Sequence, residues 1–278
     1  MSASSSILST VSAIVVAMAL VAGLEAMIPL RARDAWSRRH LGPNLLLTLI
    51  TFATNAIFNT ALVLLLQWQE EARIGVLHAF VLPPLLTTAV VVLALDFAYY
   101  LAHVAMHASP ALWRYHCVHH SDPAVDVTTT IRQHPGEGVI RYLFLAAGAS
   151  VLGAGPGAFA VYRVWSVMNG LLEHANVRVP PRLDAAVAWI VTTPNMHKVH
   201  HSRRREETNS NYGNIFSFFD RCFSTFIPTA RGMSILYGLD GLDHRSVQTT
   251  IGLLALPFRD AGAPDDVTAG VPSSGGSS

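Results

Sequence analysis

Apolar and polar residues alternate along this chain in long blocks, not in the short periods of a soluble domain. Residues 7–30 are apolar apart from Glu25, a run of 24; about 20 residues at 1.5 Å rise suffice to cross a bilayer. Residues 44–66 form a second such block, and residues 79–102 a third. The third is entered through Pro83 and Pro84, which suit a helix start better than its interior. Residues 142–172 are apolar again but are interrupted by Gly153, Gly155, Pro156 and Gly157. Each half is marginal for a crossing, so the pattern predicts a short helical hairpin that enters and leaves on one side. Arg163 lies inside it, and a cation at that depth should face protein or a cavity unless it snorkels to a headgroup.

Charge sets the sidedness. The first block is followed by Arg31, Arg33, Arg38 and Arg39, which places this loop in the cytoplasm and the N-terminus outside. No basic stretch precedes the first block, so a retained anchor is expected in place of a cleaved signal peptide. Residues 180–278 carry no further span and fall on the cytoplasmic side, in keeping with Arg203–Arg205. From about residue 261 the chain is rich in Gly, Pro and Ser and is expected to be disordered. Charged residues are only 13% of the 278, about half the usual share. Mean hydropathy is +0.38. Net charge is +1, which gives no reason to expect nucleic acid. Cys117 and Cys222 make neither a disulfide framework nor a CxxC pair.

Histidine changes the picture most. There are 13, ten of them between His103 and His201. They fall in three clusters, His103/His107, His116/His119/His120 and His197/His200/His201, each at the i, i+3, i+4 spacing that shares one helix face. His134 and His174 flank them; His40, His78 and His244 read as ordinary. Neutral imidazole suits Fe, Zn, Cu and Ni, and one mononuclear site takes three or four protein ligands, so eight or more convergent imidazoles imply two metals. Asp96 lies seven residues before His103 on nearly the same face, where it would orient a ligating imidazole or add a ligand; Glu173 offers a similar role beside His174. Cys117 and Trp113 read as packing. HExxH, GxSxG and a usable GxGxxG are missing.

These residues resemble the fatty acid hydroxylase / sterol desaturase superfamily of membrane di-iron oxidoreductases. The likeness covers about residues 90–226 and rests on DFAYYLAHVAMH, LWRYHCVHHSD, RQHPGE, EHAN and TPNMHKVHH with the segment that follows. It implies that the family's eight histidines are His103, His107, His116, His119, His120, His197, His200 and His201. It further implies His174 as an added ligand and His134 near the site. The expected protein is an all-α integral membrane enzyme: three long transmembrane helices, a short hairpin and a cytoplasmic histidine-rich cap. Residues 1–80 would be N-terminal helices, 81–230 the di-iron domain and 231–278 a C-terminal segment. The expected reaction is O2-dependent hydroxylation of a C–H bond of a membrane lipid, with desaturation as the alternative and metal transport or storage as a distant one. Two iron ions (zinc as a substitute), O2, a lipid taken from the bilayer and a separate electron donor (ferredoxin, cytochrome b5 or reductase) are the expected cofactors and partners. The expected location is a bacterial inner membrane.

Overall fold

A computed structural model describes residues 3–32 and 37–259. The Gly/Pro/Ser tail from 261 and part of the arginine loop lie outside the described residues. What is described is all-helical, with only two isolated bridge pairs, Pro29–Val177 and Val191–Phe216.

The apolar blocks become helices α1 (Ala3–Met27), α2 (Leu41–Ala72) and α3 (Pro84–Ala108). Two stretches, Leu41–Ala79 and Pro84–Ala108, are long and apolar enough to cross a membrane. Helix α3 runs past the end of its apolar block and carries His103 and His107 on its last turns. Helix α4 (Pro110–His120) follows at once and carries the second cluster. Then come α5 (Pro135–Leu152), α6 (Pro156–His174), α7 (Pro181–Val187), α8 (Pro194–His200), α9 (Arg205–Thr208), α10 (Phe218–Cys222) and α11 (Thr250–Ala255). Six of these, α3 to α8, have proline in the first turn, where its missing N–H costs nothing.

The hairpin differs from expectation. Its halves, α5 and α6, have 18 and 19 residues, longer than the apolar run suggested, because α5 begins seven residues earlier with polar positions turned inward. Its tip is a glycine contact. Gly153 ends α5 in the left-handed region at φ 69, and a Cβ on Gly75 (φ 124) would lie 2.2 Å from the Gly153 Cα. The hairpin tip therefore meets the connection between α2 and α3.

Leu62, Leu66, Val91, Leu95, Leu145 and Phe159 form the main core between α2, α3, α5 and α6. The outer faces keep large apolar residues exposed, among them Leu20, Leu49, Leu64, Leu85, Leu143, Val161 and Trp165. Such a surface matches a lipid environment better than water. Glu25, the one charge of the first block, is 2% exposed and accepts the backbone N–H groups of Val127 and Asn176, both at 2.8 Å. That carboxylate pins the end of α1 to the histidine-bearing layer. The segment beyond residue 231 packs inward, with Val247, Leu253 and Leu256 against Leu47, Cys117 and Val118.

Candidate metal centre

Nine imidazoles converge in two groups. His103, His107, His116, His120 and His200 form one; His119, His174, His197 and His201 form the other, and within each group the candidate ligand atoms lie within 4.8 Å of one another. The i, i+4 pair of α3 stays together in the first group, whereas the triplet of α4 and the triplet His197/His200/His201 are each split between the groups. His119 turns to the second group while its neighbours His116 and His120 turn to the first, and His200 departs likewise from His197 and His201.

One five-residue stretch fixes four imidazoles of the first group from outside. His120 Nδ1–H donates to Thr208 Oγ1 (3.3 Å), His107 to Asn209 Oδ1 (3.2 Å), His200 to the Ser210 carbonyl (2.7 Å) and His103 to the Tyr212 carbonyl (2.8 Å). The fifth, His116, has its Nδ1 3.3 Å from Glu137 Oε1. Each such partner sets the tautomer, so Nε2 is a lone pair aimed inward. In the second group the His174 Nδ1–H donates to the Gly170 carbonyl at 2.7 Å, and its bare Nε2 faces those of His119, His197 and His201 at 3.1, 3.0 and 3.3 Å.

These separations test whether a metal fits. Two nitrogens each about 2.1 Å from one ion, at about 90–105° to each other, are about 3.0–3.4 Å apart. The observed spacing falls in that range. One lone pair can accept a single proton, so no hydrogen-bond pattern satisfies three Nε2 atoms crowded on that of His174. The inward Nε2 atoms of His107 and His200 are buried with no hydrogen-bond partner at all. Burial, followed by repulsion from neighbouring imidazoles, holds the pKa values of His116, His119, His120, His197 and His201 well below 6.5, and burial brings His200 to about 4. Neutral imidazole is the ligating form.

Two sequence expectations take other places. Asp96 reaches no imidazole. It is fully buried and accepts from Asn214 Nδ2 (3.2 Å) and from the backbone N–H groups of Ile215 (3.1 Å) and Phe216 (2.8 Å), so it anchors the strand of chain that follows Tyr212. His134 lies outside both groups. It caps α5 by accepting Gly136 N–H at 2.9 Å, and its Nε2–H donates to the Leu254 carbonyl at 3.2 Å. His40, His78 and His244 are also outside. Glu173 does approach the second group, with Oε1 3.9 Å from His197 Nε2. Trp113 packs against His107 and His120, with ring centroids at 4.9 and 5.3 Å.

A second buried polar cluster braces α4. Arg132, fully buried, donates from Nε to the Val118 carbonyl, from Nη1 to Asn44 Oδ1, and from Nη2 to Ser121 Oγ and Gln248 Oε1, at 2.8–2.9 Å. Asp122 joins it through Asn44 and pairs with His40 at 2.8 Å. Buried Lys198, its pKa lowered by burial to about 7, donates to the Ala175 carbonyl at 2.7 Å and ties α8 to the end of α6.

Five of the nine imidazoles line a cavity of about 660 Å³. His103, His116, His119, His174 and His197 reach it, and its walls come from α1 (Val11, Ile14), one face of α2 (Phe52 to Val63), α5 and α6. A largely apolar space that shares its lining with clustered imidazoles defines a class: a helical protein whose histidine groups fit metal beside a space that fits an aliphatic chain.

The comparisons with known proteins fall in the same place. Residues 88–225 match the family model described as fatty acid hydroxylase, and the histidine-bearing part of the chain belongs to the fatty acid hydroxylase superfamily. Alkylglycerol monooxygenase of Xenopus tropicalis is 31% identical over 149 residues, 53% of this chain and 31% of its own length. Ornithine lipid hydroxylase of Rhizobium tropici is 33% identical over 169 residues, 60% of this chain and 49% of its own. A very-long-chain aldehyde decarbonylase of Oryza sativa is 26% identical over 139 residues, 47% of this chain and 22% of its own. The chain thus spans less than half the length of these relatives. No solved structure matches it. Two of these relatives are named for adding oxygen to a lipid, and two stretches of this chain are long and apolar enough to cross a membrane.

Proposed function

We propose that the protein is a di-iron, O2-dependent hydroxylase of a membrane lipid, with one iron held by His103, His107, His116, His120 and His200 and the other by His119, His174, His197 and His201. The observation that carries this is the convergence of two preformed imidazole groups, five of whose rings line one largely apolar cavity. Iron so bound would supply reductive activation of O2 and oxidation of an unactivated C–H bond.

The chain's own share is positioning. Residues 208–212 and Glu137 hold the first group's rings by their outer nitrogens. Glu137 and Glu173 bring carboxylates toward sites whose neutral imidazoles leave metal charge uncompensated. The walls from α1, α2, α5 and α6 exclude water and align an alkyl chain end-on to the imidazoles. Hydroxylation is favoured over desaturation because two of the relatives are named for adding oxygen. The active site is proposed to face the cytoplasm of a bacterial inner membrane with the N-terminus outside, by the bias of Arg31, Arg39 and Arg203–Arg205. A separate electron donor, a ferredoxin, cytochrome b5 or reductase, is proposed to dock there.

The test is metal analysis with lipid profiling. His119→Ala and His200→Ala should each lose metal from one group and abolish lipid oxidation, while still inserting in the membrane. In wild type the product should be one oxygen atom heavier than the substrate; loss of two hydrogens would instead assign desaturation. Full metal occupancy in both variants would sink the assignment.

A further inference from the structure

Two arginines line the cavity, and their surroundings differ. Arg141 has a counter-charge: its Nη1 is 3.3 Å from Glu137 Oε1, and its guanidinium lies 4.7 Å from the Tyr99 ring centre. Arg163 on α6 lies 5.2 Å over the ring of Tyr142 and has no carboxylate within ion-pair distance among the described residues. A guanidinium does not deprotonate in a protein, and a cation at this depth of an apolar bundle is costly without an anion. It is not turned outward to lipid like its neighbours Val161 and Trp165, which are 48% and 42% exposed. It is half-buried in the cavity wall. Asn55, Asn59 and Thr60 of α2 line the same cavity, and the buried Asn55 Oδ1 has no hydrogen-bond partner. The cavity thus holds neutral polar groups together with one positive charge that no carboxylate pairs.

Helix geometry gives the spacing. Arg163 precedes His174 by 11 residues on one continuous helix, about 16 Å at 1.5 Å per residue. Long side chains lean toward their helix N-terminus, here away from the imidazoles.

Resting on the lipid-oxidising reading above, we propose that Arg163 selects the substrate by its polar group: it binds an anionic oxygen group, carboxylate or phosphate, of an amphiphile whose chain runs along the cavity to the imidazoles. The unpaired charge in the cavity is completed by the ligand, and the carbon presented to the imidazoles is remote from the anionic group. Asn59 and Thr60 add neutral hydrogen bonds to the same group.

The test measures binding, not turnover. The full-length, iron-loaded protein in phosphatidylcholine nanodiscs is titrated with oleate, oleyl phosphate and methyl oleate. Wild type should bind at least one of the two anionic chains ~10-fold or more tightly than the ester, the scale of a charge-assisted hydrogen bond. The anion with the larger preference identifies the group. Arg163→Gln should remove the preference by weakening the anion alone, with iron content unchanged; Arg163→Lys should keep most of it. Equal binding of all three chains by wild type overturns the proposal, as does a preference that survives in Arg163→Gln. A chain that binds no iron yet keeps an Arg163-dependent anion preference upholds this inference and rejects the di-iron reading.

Discussion

The Arg132 cluster and the nine imidazoles are both buried, polar and built around α4, yet they are finished in opposite ways. All three nitrogens of Arg132 donate to protein acceptors, and Asp122 accepts from Asn44 and Thr129 while pairing with His40. The imidazoles are satisfied only on their outer side, and even there incompletely: the Nδ1 atoms of His116, His119, His197 and His201 have no hydrogen-bond partner, though Glu137 approaches that of His116. Their inner nitrogens crowd lone pair against lone pair. A closed network of this kind holds the chain in place. A network open on one side, with its donors already aimed, waits for a cation. Polar groups in the interior must be matched, and what they lack identifies the missing partner.

The largest way to break this contrast is Arg132→Ala. Removing one member of a buried charged network leaves the Val118 carbonyl, Asn44 Oδ1 and Gln248 Oε1 short of donors and should cost about 3–5 kcal/mol. Thermal unfolding of the metal-free variant should shift sharply down, while the remaining folded molecules keep their metal stoichiometry. Equal stability to wild type would remove Arg132 as a clamp. A smaller and opposite effect is expected for Asn209→Ala. It deletes only the outer partner of His107, so stability should change little, and metal affinity should fall about 10–100-fold; competition with a chelator measures it. A third expected effect is a pH dependence. Burial opposes charge on His40, but Asp122 and Asp126 outweigh it and raise its pKa from 6.5 to about 10. A base whose folded pKa is raised adds stability that is fully present below 6.5 and is lost as pH rises through 10. The melting temperature should therefore decline from pH 7 to 10, and His40→Gln should flatten that decline.

Much of this was legible in the chain. The prolines at 84, 110, 135, 156, 181 and 194 punctuate the helices, and the histidine spacings gave the convergent faces. The split into groups of five and four was not legible. Adjacent residues such as His119 and His120 point about 100° apart on a helix, and which neighbours each then meets, His174, His197 and His201 or His103, His107 and His200, is decided only by the tertiary packing. The orienting loop was equally hidden, since Ser210 and Tyr212 act through backbone carbonyls, which any residue supplies. Asp96 misled because helical register placed it near His103, whereas its carboxylate is taken by the backbone at 215 and 216. Helix α5 starts at Pro135, ahead of the apolar block at 142–172, because Glu137 and Arg141 pair with each other inside. The cavity needs walls from four helices far apart in sequence, and no local pattern announces it.

The outer supports of His103, His107, His120 and His200 come from the single stretch Thr208–Tyr212. Four donors are therefore released together or not at all. On the di-iron reading proposed above, capture and loss of metal at the first group would be a gated event, its rate set by one local opening of the chain and not by four independent ring flips. Hydrogen exchange of residues 208–212 and the off-rate of the bound ion should accordingly share one temperature dependence.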